Sequence, residues 1–571
     1  MASVGIDIGT SSVRVAVASD YGSQVSTLPI SVHSSETAPF ITQSSRELYT
    51  KIISLLDELD TREVGAISAT ATCSMVVREI VWDEGKPYLI PHLVNNIDEN
   101  NQDIILWMDN RARKQCDYLN DNIESDIKRK VGGSFIPEMG LPKLKWLSDT
   151  VGDKNLVCFE LYDWFSYLFL CGGFDKHSNR VPFIEHPQVE MLDFPSVSEA
   201  MDGSIKGWSK KFLNDLGIAE NIRIGRSEFN LPNVDGLLPA GVPLGYSHEE
   251  LDLPNDVLIC NGCIDCYAGW LSTIDIKSLE RNTLSMIAGT STCFVLSTSS
   301  FDQKSIPGIW GPFDQLLCQL VSLFEFGQPA TGKLFETLFN NYATVIKASP
   351  ASSDDIFDFL EKETQKLEHK YCKPILVIAK NYFWYVDQFG NRSPYNDLNM
   401  SEILIDGYNA SDSGLESITN GSSLMGLVIR FNLILEFLCF QTRQILEIIE
   451  SHQGPVVDSI LISGSQGKNL RFINLLSLVT NKPVKCLLLV VNSDCQVVFG
   501  ACILSKIGLH LLNVSKYSEA LRLCIPLQIS LTSVACQSAP TDLALFLDIR
   551  YQIFLDMCLQ QRRYRELVAP F

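Results

Sequence analysis

The chain has 571 residues, 46% of them apolar and 20% charged, with 46 Lys plus Arg against 67 Asp plus Glu for a net charge of −21. That composition belongs to a folded globular protein, and the length suggests roughly four domain-sized units or two large ones. The negative balance argues against nucleic acid and anionic membrane surfaces as partners. Seventeen cysteines, an odd number without a disulfide framework's regular spacing, read as reduced thiols of a cytoplasmic protein. No secretory signal precedes Asp7, and the longest apolar runs fall short of the roughly 20 residues of a membrane span.

Val4-Gly5-Ile6-Asp7-Ile8-Gly9-Thr10-Ser11-Ser12 opens the chain as a strand turning through glycine into hydroxyl residues, and Val13–Val17 continues as a second strand. Glycine lets the backbone approach an anion while amide N–H groups and hydroxyls supply donors, so this hairpin is suited to phosphate. Helical spacing follows over Glu47–Leu59, then a strand over Val64–Ala69, which together indicate an α/β lobe. The spacing of large apolar residues predicts buried helices over Leu141–Leu147 and Cys158–Leu170, with Gly172-Gly173 as a stop and a loop through Phe174–Asn179. Val257–Cys260 reads as a buried strand and Asp265–Leu271 as the start of a helix.

Met286-Ile287-Ala288-Gly289-Thr290-Ser291-Thr292 repeats the first device, which places a lobe boundary near residue 275 and suggests duplicated ATP-binding lobes, 1–274 and 275–571. The second half then offers a strand Leu284–Ala288, a helix Lys333–Tyr342, a strand Ile375–Ala379, a long helix Ser423–Glu450 and a strand Ile460–Gly464.

Several further segments stand beside the hairpins: Trp107-Met108-Asp109-Asn110-Arg111-Ala112, Pro137-Glu138-Met139 with Pro142-Lys143-Leu144, Gly262-Cys263-Ile264-Asp265, Gly327-Gln328-Pro329-Ala330-Thr331-Gly332, Gly390-Asn391-Arg392-Ser393-Pro394 and Ser463-Gly464-Ser465-Gln466-Gly467-Lys468-Asn469. In these, and in their order along nearly the whole chain, the sequence resembles the FGGY carbohydrate kinases, and within them the ribulokinase-like branch. The resemblance implies an α/β fold of two actin-like ATPase (ribonuclease H-like) lobes with a cleft between them. It also implies ATP as co-substrate, Mg²⁺ as cofactor, a small-molecule sugar as partner and room for a homodimer.

Phosphoryl transfer requires a neutralised phosphate chain, a positioned acceptor hydroxyl and a base beside it. By resemblance Asp7 is the carboxylate that holds Mg²⁺ through water, in keeping with that ion's preference for oxygen ligands. Thr10, Ser11, Ser12 and Arg14 form the first phosphate motif, Gly289 and Thr290 the second, and Gly464 with Asn469 the adenosine motif. Asp265 falls where the family has its catalytic aspartate, a general base for the acceptor hydroxyl. Asp109 and Arg111 resemble substrate-binding residues, with a surface ion pair as the plain alternative. Cys260, Cys263 and Cys266 invite a metal reading, but no second cluster of zinc-like spacing accompanies them, and thiols packed around the catalytic loop are the simpler account.

The pattern departs in four places. Thr70-Ala71-Thr72-Cys73-Ser74 stands where ribulokinase-like members carry Asp-Ala-Thr-Cys-Ser, and Phe326, Pro329 and Ser465 replace glycine, serine and glycine. Two readings follow: a kinase acting on a pentulose such as ribulose, and a catalytically weak nucleotide-binding regulatory relative, supported by Thr70 and Phe326. An actin- or chaperone-type ATPase accounts for the hairpins but not for the Trp-Met-Asp-Asn-Arg and Gly-Asn-Arg-Ser-Pro segments.

Overall fold

A computed structural model describes residues 1–569 except 20–21, 36–39, 96–100, 184–203, 226–237, 252, 254–255, 301–303, 315, 318–319, 350–355, 409–415, 420, 487–494, 526–531 and 535–540. The chain divides into two compact units, the first made of Met1–Asn282, Val295–Glu325 and Asp494–Ile529, the second of Thr283–Phe294, Phe326–Ser493 and Ser530–Phe571.

In the first unit a six-stranded sheet runs in the order 243–246, 258–264, 64–71, 2–8, 12–19, 22–29. Ala2–Ile8 pairs antiparallel with Ser12–Ser19 and parallel with Val64–Ala71, which pairs parallel with Leu258–Ile264. Every residue of Ala2–Ile8 and of Leu258–Ile264 is buried, the continuous apolar pattern of strands covered on both faces. One cover is helix Leu161–Cys171, and the other is helix Gln496–Leu511. The latter lies so close that a Cβ on Gly5 would fall 2.2 Å from the Val498 carbonyl oxygen, and Ser505 Oγ donates to the Val4 carbonyl. This packing returns residues 494–529 to the first unit, and the first unit keeps the chain as far as Asn282. A division at residue 275 therefore misses the topology, because local periodicity carries no signal for a helix that returns over 200 residues later.

A second sheet in this unit has Met75–Asp83 at its centre, paired with Lys86–Pro91, Ile104–Ile105 and Leu156–Glu160. The expected helix over Cys158–Leu170 is thus corrected. Its first three residues end the strand Leu156–Glu160, and the helix begins at Leu161. In a fully buried apolar run, periodicity does not separate strand from helix. Gly172 terminates that helix in the left-handed conformation, as the Gly-Gly pair suggests.

The second unit carries parallel strands Thr283–Ala288, Ser459–Ser463 and Val484–Cys486, with Thr532–Val534 antiparallel at the edge. Its core helix, Leu424–Ser451, starts where Ser423 Oγ accepts the Gly426 amide. By length and composition this helix could cross a membrane, but 83% of its apolar window is buried inside the protein. Ile375–Ala379 is not a strand. Residues Ile375–Ile378 form one helical turn, because Pro374 presets its entry and Glu368 Oε1 accepts the Ile375 amide.

Candidate active site

In the first unit, Asp7 ends the strand Ala2–Ile8 and is buried, with Arg14 opposite it in the hairpin register donating to Oδ2 at 2.9 Å. Burial raises the Asp7 pKa, and the Arg14 guanidinium offsets only part of that cost. Arg14 is therefore engaged by Asp7, its side chain 28% exposed. At the hairpin tip Ser11 is exposed and Ser12 half-buried, and their hydroxyls have no protein partner among the described residues. Thr10 is tied down on both sides: its Oγ1 accepts the Trp107 indole N–H at 3.1 Å, and its carbonyl accepts Gln43 Nε2 at 2.8 Å.

Asp265 is the first residue of helix Asp265–Leu271, directly after the strand Leu258–Ile264, and its Oδ1 accepts the Cys266 amide at 2.8 Å. Burial raises its pKa to about 7, helped by the negative charges of Asp7 and Glu325. Asp7, Asp265 and Glu325 thus form a carboxylate group fed by three separate elements. Glu325, on the strand Ser322–Gln328, also accepts the Tyr267 hydroxyl at 2.5 Å. Sequence reasoning assigned neither Glu325 nor Tyr267 a role. The signal was present, since Glu325 stands two residues before the Gly327-Gln328 motif and Tyr267 two after Asp265, but only the fold turns them toward one point.

Asp109 and Arg111 are brought together, but not for a sugar. The Asp109 carboxylate accepts the amides of Ile41 and Arg111 and both Nε and Nη2 of Arg111, at 2.7–3.0 Å. Four donors fill its lone-pair sites. The Arg111 guanidinium lies 4.2 Å from the Phe40 ring centroid and 4.8 Å from that of Trp146, and both charged side chains are 0% exposed. Direct sugar binding is corrected to a buried ion pair that shapes the loop behind Trp107. Lys143 holds the same loop, donating to the carbonyls of Leu106 and Trp107 at 2.7 and 2.8 Å, and burial lowers its pKa to about 8.

Cys260 and Cys263 do not join Cys266 in any metal-holding group among the described residues. Cys260 Sγ donates to the Ser505 carbonyl, and burial pushes its thiol well up, as expected of a packing residue. Thr70 is also buried. It stands in register with Asp7, its Oγ1 donating to the Ile6 carbonyl at 3.1 Å.

In the second unit, Thr290 is exposed at the tip of its turn. The carbonyls of Gly289 and Thr290 accept the amides of Gly332, Thr331 and Lys333 at 2.8–3.1 Å, which fixes the turn on the start of helix Gly332–Asn341. Gly464 follows the strand Ser459–Ser463 at φ 83°, and a Cβ there would meet the Ala288 carbonyl oxygen at 2.4 Å. Both backbone and space require glycine. Gly464→Ala is expected to raise the KM for ATP at least tenfold and to lower Tm by several degrees, read by coupled kinase assay and calorimetry. Asn469 Oδ1 accepts the Phe472 amide at 3.1 Å, so the residue caps helix Leu470–Thr480 while its Nδ2 has no partner among the described residues.

Two departures from the family pattern are accommodated by local packing. The Phe326 ring is buried, stacked on Phe294 with centroids 5.1 Å apart, and so lies in the core instead of narrowing a pocket. Ser465 is exposed, and its hydroxyl donates to the Ala288 carbonyl.

Residues 284–507 match the FGGY family of carbohydrate kinases, C-terminal domain. Protein MPA43 of Saccharomyces cerevisiae is 29% identical, covering 99% of this chain and 97% of its own length. The D-ribulokinase YDR109C of the same yeast is 29% identical over 88% of this chain and 71% of its own. Among solved structures, xylulose kinase from Rhodospirillum rubrum superposes with a TM-score of 0.67 at 15% identity, over 99% of both chains. The two units have the fold of actin-like, ribonuclease H-like lobes, residues 284–507 match an FGGY carbohydrate kinase C-terminal domain, and over nearly its whole length the chain is similar to proteins of that kind.

Proposed function

We propose that this kinase transfers the γ-phosphate of ATP to a hydroxyl of a pentulose, ribulose above all, with Asp265 as the general base. The observation that carries this reading is the Asp265 carboxyl itself, set at a strand end with a pKa raised to about 7. A base poised there accepts the hydroxyl proton as the oxygen attacks, without being fully neutralised at working pH. The similarity to a D-ribulokinase supports ribulose as the acceptor.

Kinases of this family use ATP with a divalent metal, and the residues present fit Mg²⁺. Asp7 offers a hard carboxylate oxygen within a carboxylate group whose crowded charge a divalent ion offsets. When bound, the ion neutralises charge on the phosphate chain. Arg14 orients Asp7, the free hydroxyls of Ser11 and Ser12 are donors for phosphate oxygens, and Gly289 and Thr290 serve the same purpose in the second unit. Fifteen cysteines are unbridged among the described residues, which supports a cytoplasmic setting.

The alternative of a weak regulatory relative keeps one supporting observation, the hydroxyl of Thr70 where the branch has a carboxylate. The test is coupled ADP release across a panel of pentuloses and pentitols. Turnover with one sugar supports the kinase, whereas tight ATP binding with no turnover on any supports the regulator. The pH dependence has a definite sign. Since the base works ionised, kcat/KM is expected to fall tenfold per unit below pH about 7 and to level off above it.

A further inference from the structure

Helix Thr541–Val568 carries apolar residues on two faces, and only one of them is covered. The inner face packs into the second unit through Leu547, Tyr551, Phe554 and Met557. Arg550 fixes the helix's rotation, donating to Glu436 Oε2 and to the Tyr382 carbonyl at 2.7 and 2.9 Å. The outer face is therefore held in one orientation. Along it Asp542, Leu545, Ile549, Gln552, Asp556, Leu559 and Arg563 recur at alternating steps of three and four, and all of them are exposed, with Leu545, Ile549 and Leu559 at 60, 53 and 57%. That is the spacing of a coiled-coil seam. A helix that is apolar on both faces is one that something covers on both.

The polar members of the seam say what covers it. Asp542, Gln552 and Arg563 have no hydrogen-bond or ion-pair partner among the described residues, and Asp556 is met there by Gln560 Nε2 of its own next turn, at 3.2 Å. In a parallel pair of such helices each residue would meet its own copy, Asp556 on Asp556 and Arg563 on Arg563, which like-charge repulsion disfavours. An antiparallel pair behaves differently. With a two-fold axis at position 554, Leu545 meets Arg563, Ile549 meets Leu559 and Gln552 meets Asp556, since each of these pairs is centred on that position. Sliding one helix by a heptad in either direction sets the Asp556 carboxylate against Leu545 or Leu559, so a single register satisfies the whole seam.

We propose that this seam docks a second copy of the chain, antiparallel, to form a two-fold dimer. Ile549 and Leu559 bury one another at two symmetric layers, and the Gln552 amide donates to the Asp556 carboxylate across the axis. Arg563 lays its methylene stem on Leu545, and its cation stands one turn from Asp542 of the second copy and from Glu566 of its own helix, between two carboxylates. The layers from Leu545 to Arg563 run for about 27 Å of helix. The proposal is independent of the catalytic reading, since none of these residues belongs to the carboxylate group or to the phosphate turns.

The test uses the full-length protein. Sedimentation velocity at tens of micromolar is expected to give about twice 63.7 kDa for the wild type. Ile549→Glu, at a position exposed in the single chain, is expected to keep the wild-type circular dichroism and to raise the dimer Kd by about a hundredfold or more, because two side chains leave the interface at once. Cysteine pairs then read the direction. Under a mild oxidant, Ile549→Cys combined with Leu559→Cys should give a disulfide-linked dimer on a non-reducing gel, whereas the wild type and Ile549→Cys alone should not. A wild type that sediments as a monomer overturns the proposal and leaves this face to a different protein. A dimer that survives Ile549→Glu lies on another surface, and one that Ile549→Cys links by itself is parallel; either result overturns it as well.

Discussion

Asp265→Asn is expected to lower kcat by 10²–10⁴-fold with any sugar that the wild type phosphorylates, the range that a positioned general base supplies. Loss of activity alone does not separate a base from a structural residue, so stability is the second readout. The Asp265 pKa is raised on folding from 3.8 to about 7, and the unfolded chain ionises this group first. The contribution of Asp265 to stability therefore falls as pH rises from about 4 to about 7, because the folded state resists giving up the proton. Asparagine carries no such charge beside Asp7 and Glu325. The Tm of Asp265→Asn minus that of the wild type should grow between pH 4 and pH 7 and then stay level. A variant that loses turnover and also loses stability at pH 8 would show that Asp265 holds the fold, and would remove it as the base.

The second large effect is expected at Arg111. Arg111→Met deletes the guanidinium that supplies two of the side-chain hydrogen bonds to Asp109 and leaves that carboxylate buried without its counter-charge. Breaking a buried pair from one side costs roughly 3–5 kcal/mol, and here the sandwich with Phe40 and Trp146 is lost as well. Chemical denaturation should show this drop with or without sugar present. Were Arg111 a sugar ligand instead, the variant would keep its stability and raise the KM for the sugar alone. Such a result would overturn the assignment of the pair to loop support.

The departures at Thr70 and Phe326 bear differently on function. The Phe326 ring is spent on Phe294 in the core, so its presence leaves the active-site reading untouched. Thr70 is another matter, for it sits beside Asp7 across the parallel register and carries no charge. A carboxylate there would join Asp7 and Asp265, two carboxyls already pushed toward protonation. The threonine is thus consistent with a site that keeps its charge count down while losing one polar contact.

What the sequence by itself determined was local. The hairpin at Asp7–Arg14, the start of helix Asp265–Leu271 and the capped helix after Ser423 were legible because turns, caps and apolar periodicity act over a few residues. The Gly464 loop was legible only through its resemblance to a family motif. Tertiary structure decided whatever depended on residues far apart in the chain. It turned Asp109 and Arg111 inward on each other, sent Phe326 into the core, made Cys158–Glu160 a strand and Ile375–Ile378 a helical turn, and folded helix Gln496–Leu511 back onto Gly5. It also set Glu325 against Asp265 from a strand 60 residues downstream. Side-chain direction and ionisation answer to burial and to neighbours brought in by long-range packing, and a sequence pattern records only the alternation that precedes it.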